Sequence, residues 1–412
     1  MKTVAEYKVD GVPERFRGNP LIEALPALVS NENRIQSMIR PPRIDLARSR
    51  QQPAYMRVHD VDVLDELFLP PPALLSFASA VDRLVRQSYA RRNPFTRDDA
   101  ERLHNVEGAF LKTSSNSTAM DGMLFLSGLS GMGKSRLCRA VLQSIPQAIQ
   151  HREYQGRAFN CTQVSWISVD APIGESVKGL LLRMLEEMDK ATGMVGTPSA
   201  LTPQHLKSSV DKLIFAFGQA ALTHRLGLLH IDDLQRVAES SKGKQLALQL
   251  IIQLANVVRC PVIFSGTPRA IAMLEESFEA ARRVCSGGAF LLDLPKSADD
   301  RFFVRLTQTV LKYQWLDVPL VVDDKTLKKL FDLSCGITSV LLFLCKQAQI
   351  QALDRGSAAL EISDIVDAYD LCLRPLHKAL RGLRRSKSRA AIDEYEEAVK
   401  KWNDGHQGET SD

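Results

Sequence analysis

The chain has 412 residues, of which 45% are hydrophobic, 25% charged and 6% aromatic, values that exclude global disorder and fibrous repeats. Its length predicts about two to four folding units. The 53 Lys and Arg against 48 Asp and Glu leave a net charge of +5, too small a bias to name a partner. Seven scattered cysteines with no CxxC pair argue against a disulfide framework or a zinc ribbon, and fit a reducing cytoplasm. No apolar run reaches the roughly 18 residues of a membrane span, so no membrane partner is expected.

Residues 1–104 are rich in proline, including Pro41-Pro42 and Pro70-Pro71-Pro72, and read as an ordered arm of short helices that docks partners. One longer helix is predicted from about Ala73 to Tyr89, where Leu74, Phe77, Val81, Leu84 and Val85 recur at helical spacing. Between 105 and 295 five apolar runs alternate with helical segments: 123–127, 164–169, 226–231, 261–266 and 289–294. That alternation predicts an α/β domain on a five-stranded parallel sheet. Residues 296–375 carry only amphipathic helices, at about 297–313, 324–333, 338–354 and 362–373, and read as a small all-helical domain. The remainder, 376–412, reads as a tail, basic and then acidic; its basic run begins with Arg374 and extends through Arg389 without an acid.

The strongest motif is Gly128-Leu-Ser130-Gly131-Met132-Gly133-Lys134-Ser135, a complete GxxxxGK[ST] between an apolar strand and a helix that continues with Arg136. Glycines let successive backbone N–H groups turn inward around phosphates, and the helix N-terminus adds positive partial charge. Lys134 is expected to reach the β and γ phosphates and the Ser135 hydroxyl to ligate Mg²⁺. Gly128, Ser130, Gly131, Met132, Gly133, Lys134, Ser135 and Arg136 form the expected nucleotide-binding set.

The third apolar run ends in Asp232-Asp233. Asp232 is expected in the metal shell, and Asp233 to orient or deprotonate the attacking water. His230, with no metal-spaced partner, reads as a packed core imidazole without a role. The fourth strand ends in Ser265-Gly-Thr267-Pro. Thr267 is the preferred contact to the γ-phosphate or water, with Ser265 behind it. Arg282-Arg283 either complements a helix C-terminus or is offered to a neighbouring subunit's γ-phosphate.

Together these elements resemble an initiator-type AAA+ P-loop ATPase with a helical lid. The segments around Asn19-Pro20 and Asn93-Pro94, with Ile231-Asp-Asp-Leu-Gln235, Ser265-Gly-Thr-Pro268 and Ala281-Arg-Arg283, resemble the TnsC/TniB family of DNA-transposition regulators from about residue 15 to 380. The resemblance implies an ATPase that assembles with itself as a ring or filament on double-stranded DNA. It would link a TniQ/TnsD-type adaptor to a TnsA/TnsB-type transposase, with ATP hydrolysis resetting the assembly. It also nominates Ser176, Lys178, Thr197 and Lys207 as DNA backbone contacts. Two departures stand out. Asp233 replaces the family's usual Glu, which implies hydrolysis slower by about one to two orders of magnitude. Gly336-Ile-Thr-Ser339 lacks the lid arginine of many relatives. The alternatives are a helicase-loading or replication-initiation ATPase, and a nucleotide-dependent scaffold that does not hydrolyse.

Overall fold

The computed structural model describes residues 2–97, 99, 122–172, 177–193, 207–238, 260–275, 281–282 and 284–408. The chain divides into two compact units: Met1–Arg34, Ala73–Ser127 and Leu137–Leu291 form the first, and Ile35–Pro72, Gly128–Arg136 and Leu292–Asp412 the second.

The strands in chain order are β1 (Lys2–Val4), β2 (Met123–Gly128), β3 (Ala148–Tyr154), β4 (Arg157–Val164), β5 (Ile167–Asp170), β6 (Leu229–Asp232), β7 (Val262–Gly266) and β8 (Gly288–Leu292). The main sheet has the order β5-β6-β7-β2-β8, and the β5/β6, β6/β7 and β7/β2 pairs are parallel. Burial follows position: every residue of β6, β7 and β2 is buried, whereas β5 and β8 at the edges alternate. Helices Val177–Thr192 and Val210–Thr223 put Leu181, Met184, Leu185, Leu213 and Phe217 into the core with Phe125, Ile231 and Phe264. This is the expected α/β architecture.

The run at 164–169 does not form one strand. Val164 ends β4, Trp166 donates its indole N–H to the Ile145 carbonyl, and Ile167 opens β5. A second sheet, β1-β3-β4, was not anticipated from the sequence. Its antiparallel β3/β4 hairpin turns at Gln155 and Gly156, both with positive φ (50° and 76°), as a two-residue turn between twisted strands demands. The leader joins the first unit through two asparagines. Asn19 caps the helix Pro20–Glu23 by accepting from the Leu21 N–H, and donates to the Tyr89 carbonyl at 2.8 Å. Asn93 donates to the Gly18 carbonyl at 3.0 Å. Both residues belong to the segments on which the TnsC/TniB resemblance rests.

In the second unit, the four expected helices are Arg301–Val310, Asp324–Ser334, Thr338–Asp354 and Ile362–Cys372. Asp300 and Asp323 cap the first two, and Glu361 with Asp364 forms a capping box on the fourth. Leader residues 35–72 build this unit too. The Trp315 indole donates to Ser49, the Arg50 guanidinium to the Gln314 carbonyl, and Lys346 pairs with Asp62 and Asp65. The segment read as a tail is largely helical, as His377–Arg385 and Arg389–Gly408. Their amphipathic faces bury Ala379, Leu380, Leu383 and Tyr395.

Candidate functional site

The phosphate loop lies in the second unit. Gly131 and Gly133 have φ of 86° and 89°, the left-handed region where a side chain is strained. A Cβ on Gly131 would also meet Ile337 Cγ2 at 3.0 Å and the Ser339 hydroxyl. Ser339 donates its N–H to the Gly131 carbonyl at 3.0 Å, so the N-terminus of helix Thr338–Asp354 helps to shape the loop. Buried Lys134 donates to the Gly128 and Leu129 carbonyls at 2.9 and 3.1 Å. Ser135 is exposed in the first turn of helix Lys134–Gln143.

Two loop residues have partners that the sequence does not reveal. Ser130 donates its N–H and its hydroxyl to the two carboxylate oxygens of Glu396 at 2.8 and 2.5 Å, and its carbonyl accepts from Tyr395 at 3.1 Å. Arg136 donates to the carbonyls of Leu67 and Asp65, which ties the start of the helix to the leader. Beside the loop an apolar cleft is lined by Phe68, Leu69, Met132, Phe302, Leu306 and Leu342. Phe68 is held in place by reciprocal backbone hydrogen bonds with Arg40.

The acidic residues lie in the first unit, at the C-terminal ends of parallel strands. Asp170 of β5 is in register with Asp232 of β6, and Ser127 of β2 with Gly266 of β7. Asp232 Oδ1 accepts from the Ser265 hydroxyl at 2.5 Å and from the Asp233 N–H at 2.9 Å. Asp233 adopts φ 54°, a left-handed conformation that Asp tolerates better than most residues. Its carboxylate accepts from Gln235 at 3.0 Å and pairs with Arg236 at 2.9 Å. Ser127 Oγ and Thr267 Oγ1 are buried with no hydrogen-bond partner among the described residues. A buried hydroxyl left so is costly unless a ligand or water completes it. His230 is a fully buried imidazole bonded to Ser168 and Ser265, and burial pushes its pKa down.

Arg282 is exposed, Lys178 half-buried and Lys207 exposed. Arg283, Ser176 and Thr197 lie outside the described residues. Each unit taken by itself carries features that fit the expected nucleotide and Mg²⁺: in the second, a cradle that a Cβ on Gly131 would fill and an exposed Ser135; in the first, a buried Asp232 and, among the described residues, the unpartnered hydroxyls of Ser127 and Thr267 at the C-terminal ends of β2 and β7. Sequence reasoning missed Glu396, Tyr395 and the Leu67–Leu69 wall. Of these, only the buried spacing of Tyr395 within an amphipathic helix had a sequence signal.

Residues 118–274 match the AAA domain family. With the five-stranded sheet, this match shows that the chain contains an AAA-type P-loop domain with a helical C-terminal region. No curated protein matches the chain. Among solved structures, the Aeropyrum pernix Orc1 protein, in complex with DNA, is 14% identical at a TM-score of 0.44, covering 76% of this chain and 68% of that one. Cdc6p of Pyrobaculum aerophilum is 13% identical at 0.42, covering 75% and 81%. A Walker-type ATPase of Pyrococcus abyssi is 16% identical at 0.41, covering 70% and 77%.

Proposed function

We propose that this chain is an ATP-dependent regulator of DNA transposition that binds and slowly hydrolyses ATP with Mg²⁺. The observation that supports nucleotide binding best is the loop itself, with Gly131 and Gly133 in left-handed conformations ahead of a helix that opens with buried Lys134. Backbone N–H groups of the loop and the Lys134 ammonium hold the phosphates. Ser135 and Asp232 would hold Mg²⁺, which supplies charge neutralisation on the phosphate oxygens. Asp233 positions or deprotonates the attacking water, with Arg236 and Gln235 fixing the direction of its carboxylate. The unpaired Thr267 hydroxyl is available to the water or γ-phosphate. Exposed Arg282, or Arg283, is offered to a neighbouring copy.

Beyond nucleotide chemistry, the TnsC/TniB-like segments support assembly on double-stranded DNA between a TniQ/TnsD-type adaptor and a TnsA/TnsB-type transposase. Lys178 and Lys207, with Ser176 and Thr197, are the proposed backbone contacts, which predicts binding that weakens with salt and hardly depends on sequence. The test is the purified chain with duplex DNA and a slowly hydrolysed ATP analogue. DNA-dependent oligomers that capture transposase, and are lost in Lys134→Ala, support the reading. Oligomers that capture a replicative helicase instead reassign it to helicase loading. Assembly with no phosphate release above the Lys134→Ala background reassigns it to a scaffold.

A further inference from the structure

Asp232 stands at the end of a chain of hydrogen bonds that crosses three strands. The Ser265 hydroxyl of β7 lies 2.5 Å from Asp232 Oδ1 and 2.8 Å from His230 Nε2, and His230 Nδ1 lies 2.8 Å from the Ser168 hydroxyl of β5. Parallel register puts all four side chains on one face of the sheet: Ser168 is opposite His230, and His230 is opposite Ile263, two residues before Ser265. Ser265 is 0%, His230 2% and Asp232 5% exposed, so water does not compete for these bonds.

Counting protons fixes the direction of the chain. An ionised carboxylate only accepts, so Ser265 spends its single hydroxyl proton on Asp232. Its oxygen must then accept from an N–H on His230 Nε2. A neutral imidazole protonated at Nε2 carries a lone pair on Nδ1, which accepts from Ser168. Every link has one donor and one acceptor. A core-filling residue of similar volume would avoid the desolvation cost of a buried imidazole, and here both ring nitrogens are committed to a line that ends on a single carboxylate oxygen.

We propose that His230 and Ser265 are positioning residues for the metal-shell carboxylate of Asp232, with Ser168 anchoring the far end. The proposal rests on the reading of this chain as a Mg²⁺-dependent ATP-binding protein. The Asp233 N–H and the Ser265 hydroxyl converge on Oδ1 from two directions and hold the plane of the carboxylate. Without the His230 donor, the Ser265 hydroxyl loses its orientation and the carboxylate rotates out of place for the ion.

The test compares wild type with Ser265→Ala, His230→Met, His230→Gln and Ser168→Ala. Each is assayed for ATP binding in EDTA, which reports the phosphate loop alone, and for the Mg²⁺ concentration that half-saturates ATP hydrolysis. Ser265→Ala and His230→Met should raise half-saturating Mg²⁺ about tenfold while metal-free ATP binding stays within about twofold. His230→Gln, whose amide N–H replaces the Nε2 donor, should recover most of the loss, and Ser168→Ala should fall between. A cooperatively melting Ser265→Ala with wild-type Mg²⁺ dependence overturns the proposal. So does a His230→Gln as impaired as His230→Met, since volume and not donation would then matter. Failure of wild type to bind ATP under either condition overturns the nucleotide reading, and the relay's purpose with it. ATP binding with metal-blind variants overturns the relay alone.

Discussion

Replacing Glu396 by alanine tests whether the C-terminal helix is part of the phosphate loop's support. The Glu396 carboxylate is 7% exposed and takes both the N–H and the hydroxyl of Ser130, while neighbouring Tyr395, 1% exposed, donates to the Ser130 carbonyl. Hydrogen bonds to a charged group contribute about 1.5–3 kcal/mol each. Ser130 is half-buried, so water replaces part of what is lost, and the expected net cost is about 2 kcal/mol. At about 1.4 kcal/mol per decade, that shifts the balance between docked and undocked loop roughly thirtyfold. For a unit of this size it lowers the melting temperature by about 4–8 °C. Glu396→Gln retains an acceptor for the N–H and should lose about half as much. Calorimetry, with titration of a fluorescent ATP analogue, reads both consequences: a lower melting point and an ATP Kd raised about tenfold as the loop loses its ordering. A melting point within about 1 °C of wild type refutes the energetics. Tighter ATP binding in Glu396→Ala refutes the supporting role, since the helix would then be competing with the nucleotide.

Other substitutions and conditions follow from the same geometry. Asp233→Asn should abolish phosphate release and keep ATP binding, because Asn accepts the φ of 54° and only the charge is lost, while Asp233→Glu should accelerate hydrolysis; an unchanged rate in the Asn variant removes Asp233 as the base. Gly131→Ala forces a methyl into left-handed backbone against Ile337 and Ser339, and should cost at least about 1–2 kcal/mol in a thermal melt and eliminate ATP-analogue binding. Asn19→Ala removes a helix cap and the bond to the Tyr89 carbonyl, which should destabilise the first unit by about 1–2 kcal/mol in urea unfolding. Burial lowers the pKa values of His151, His224 and His230, so the unfolded chain binds these protons first as pH falls. Stability is therefore fully present above about pH 6.5 and is lost as pH drops from there toward the folded-state values. Melting temperatures that stay flat from pH 7.5 to 5.5 would contradict this, where pH 6.5 is about the unfolded histidine pKa.

The phosphate loop, the acidic strand end and the four helices from Arg301 to Cys372 were legible because each is written in local chemistry: glycines where φ must be positive, apolar runs of strand length, and Asp or Glu at helix starts. The β3/β4 hairpin was missed because Gln155-Gly156 is not among the usual turn pairs, and because the alternation along β4 ends in a run continuous with β5. The leader reads as one arm, yet residues 35–72 belong to the unit of the phosphate loop and residues 1–34 to the other. Nothing in a proline-rich stretch says against which surface its apolar residues will be buried.

The amino-acid sequence by itself determined the P-loop class of this chain and nominated the residues around the phosphates, since a loop that wraps phosphate needs particular backbone dihedrals within eight consecutive positions. Tertiary structure alone decided what holds that chemistry in place. Glu396 reaches Ser130 from 266 positions away, Ser265 reaches Asp232 from 33, and Ser168 reaches His230 from 62. Those pairings depend on strand register and helix docking, which come from burying whole faces against one another and leave no mark in the spacing of any short segment.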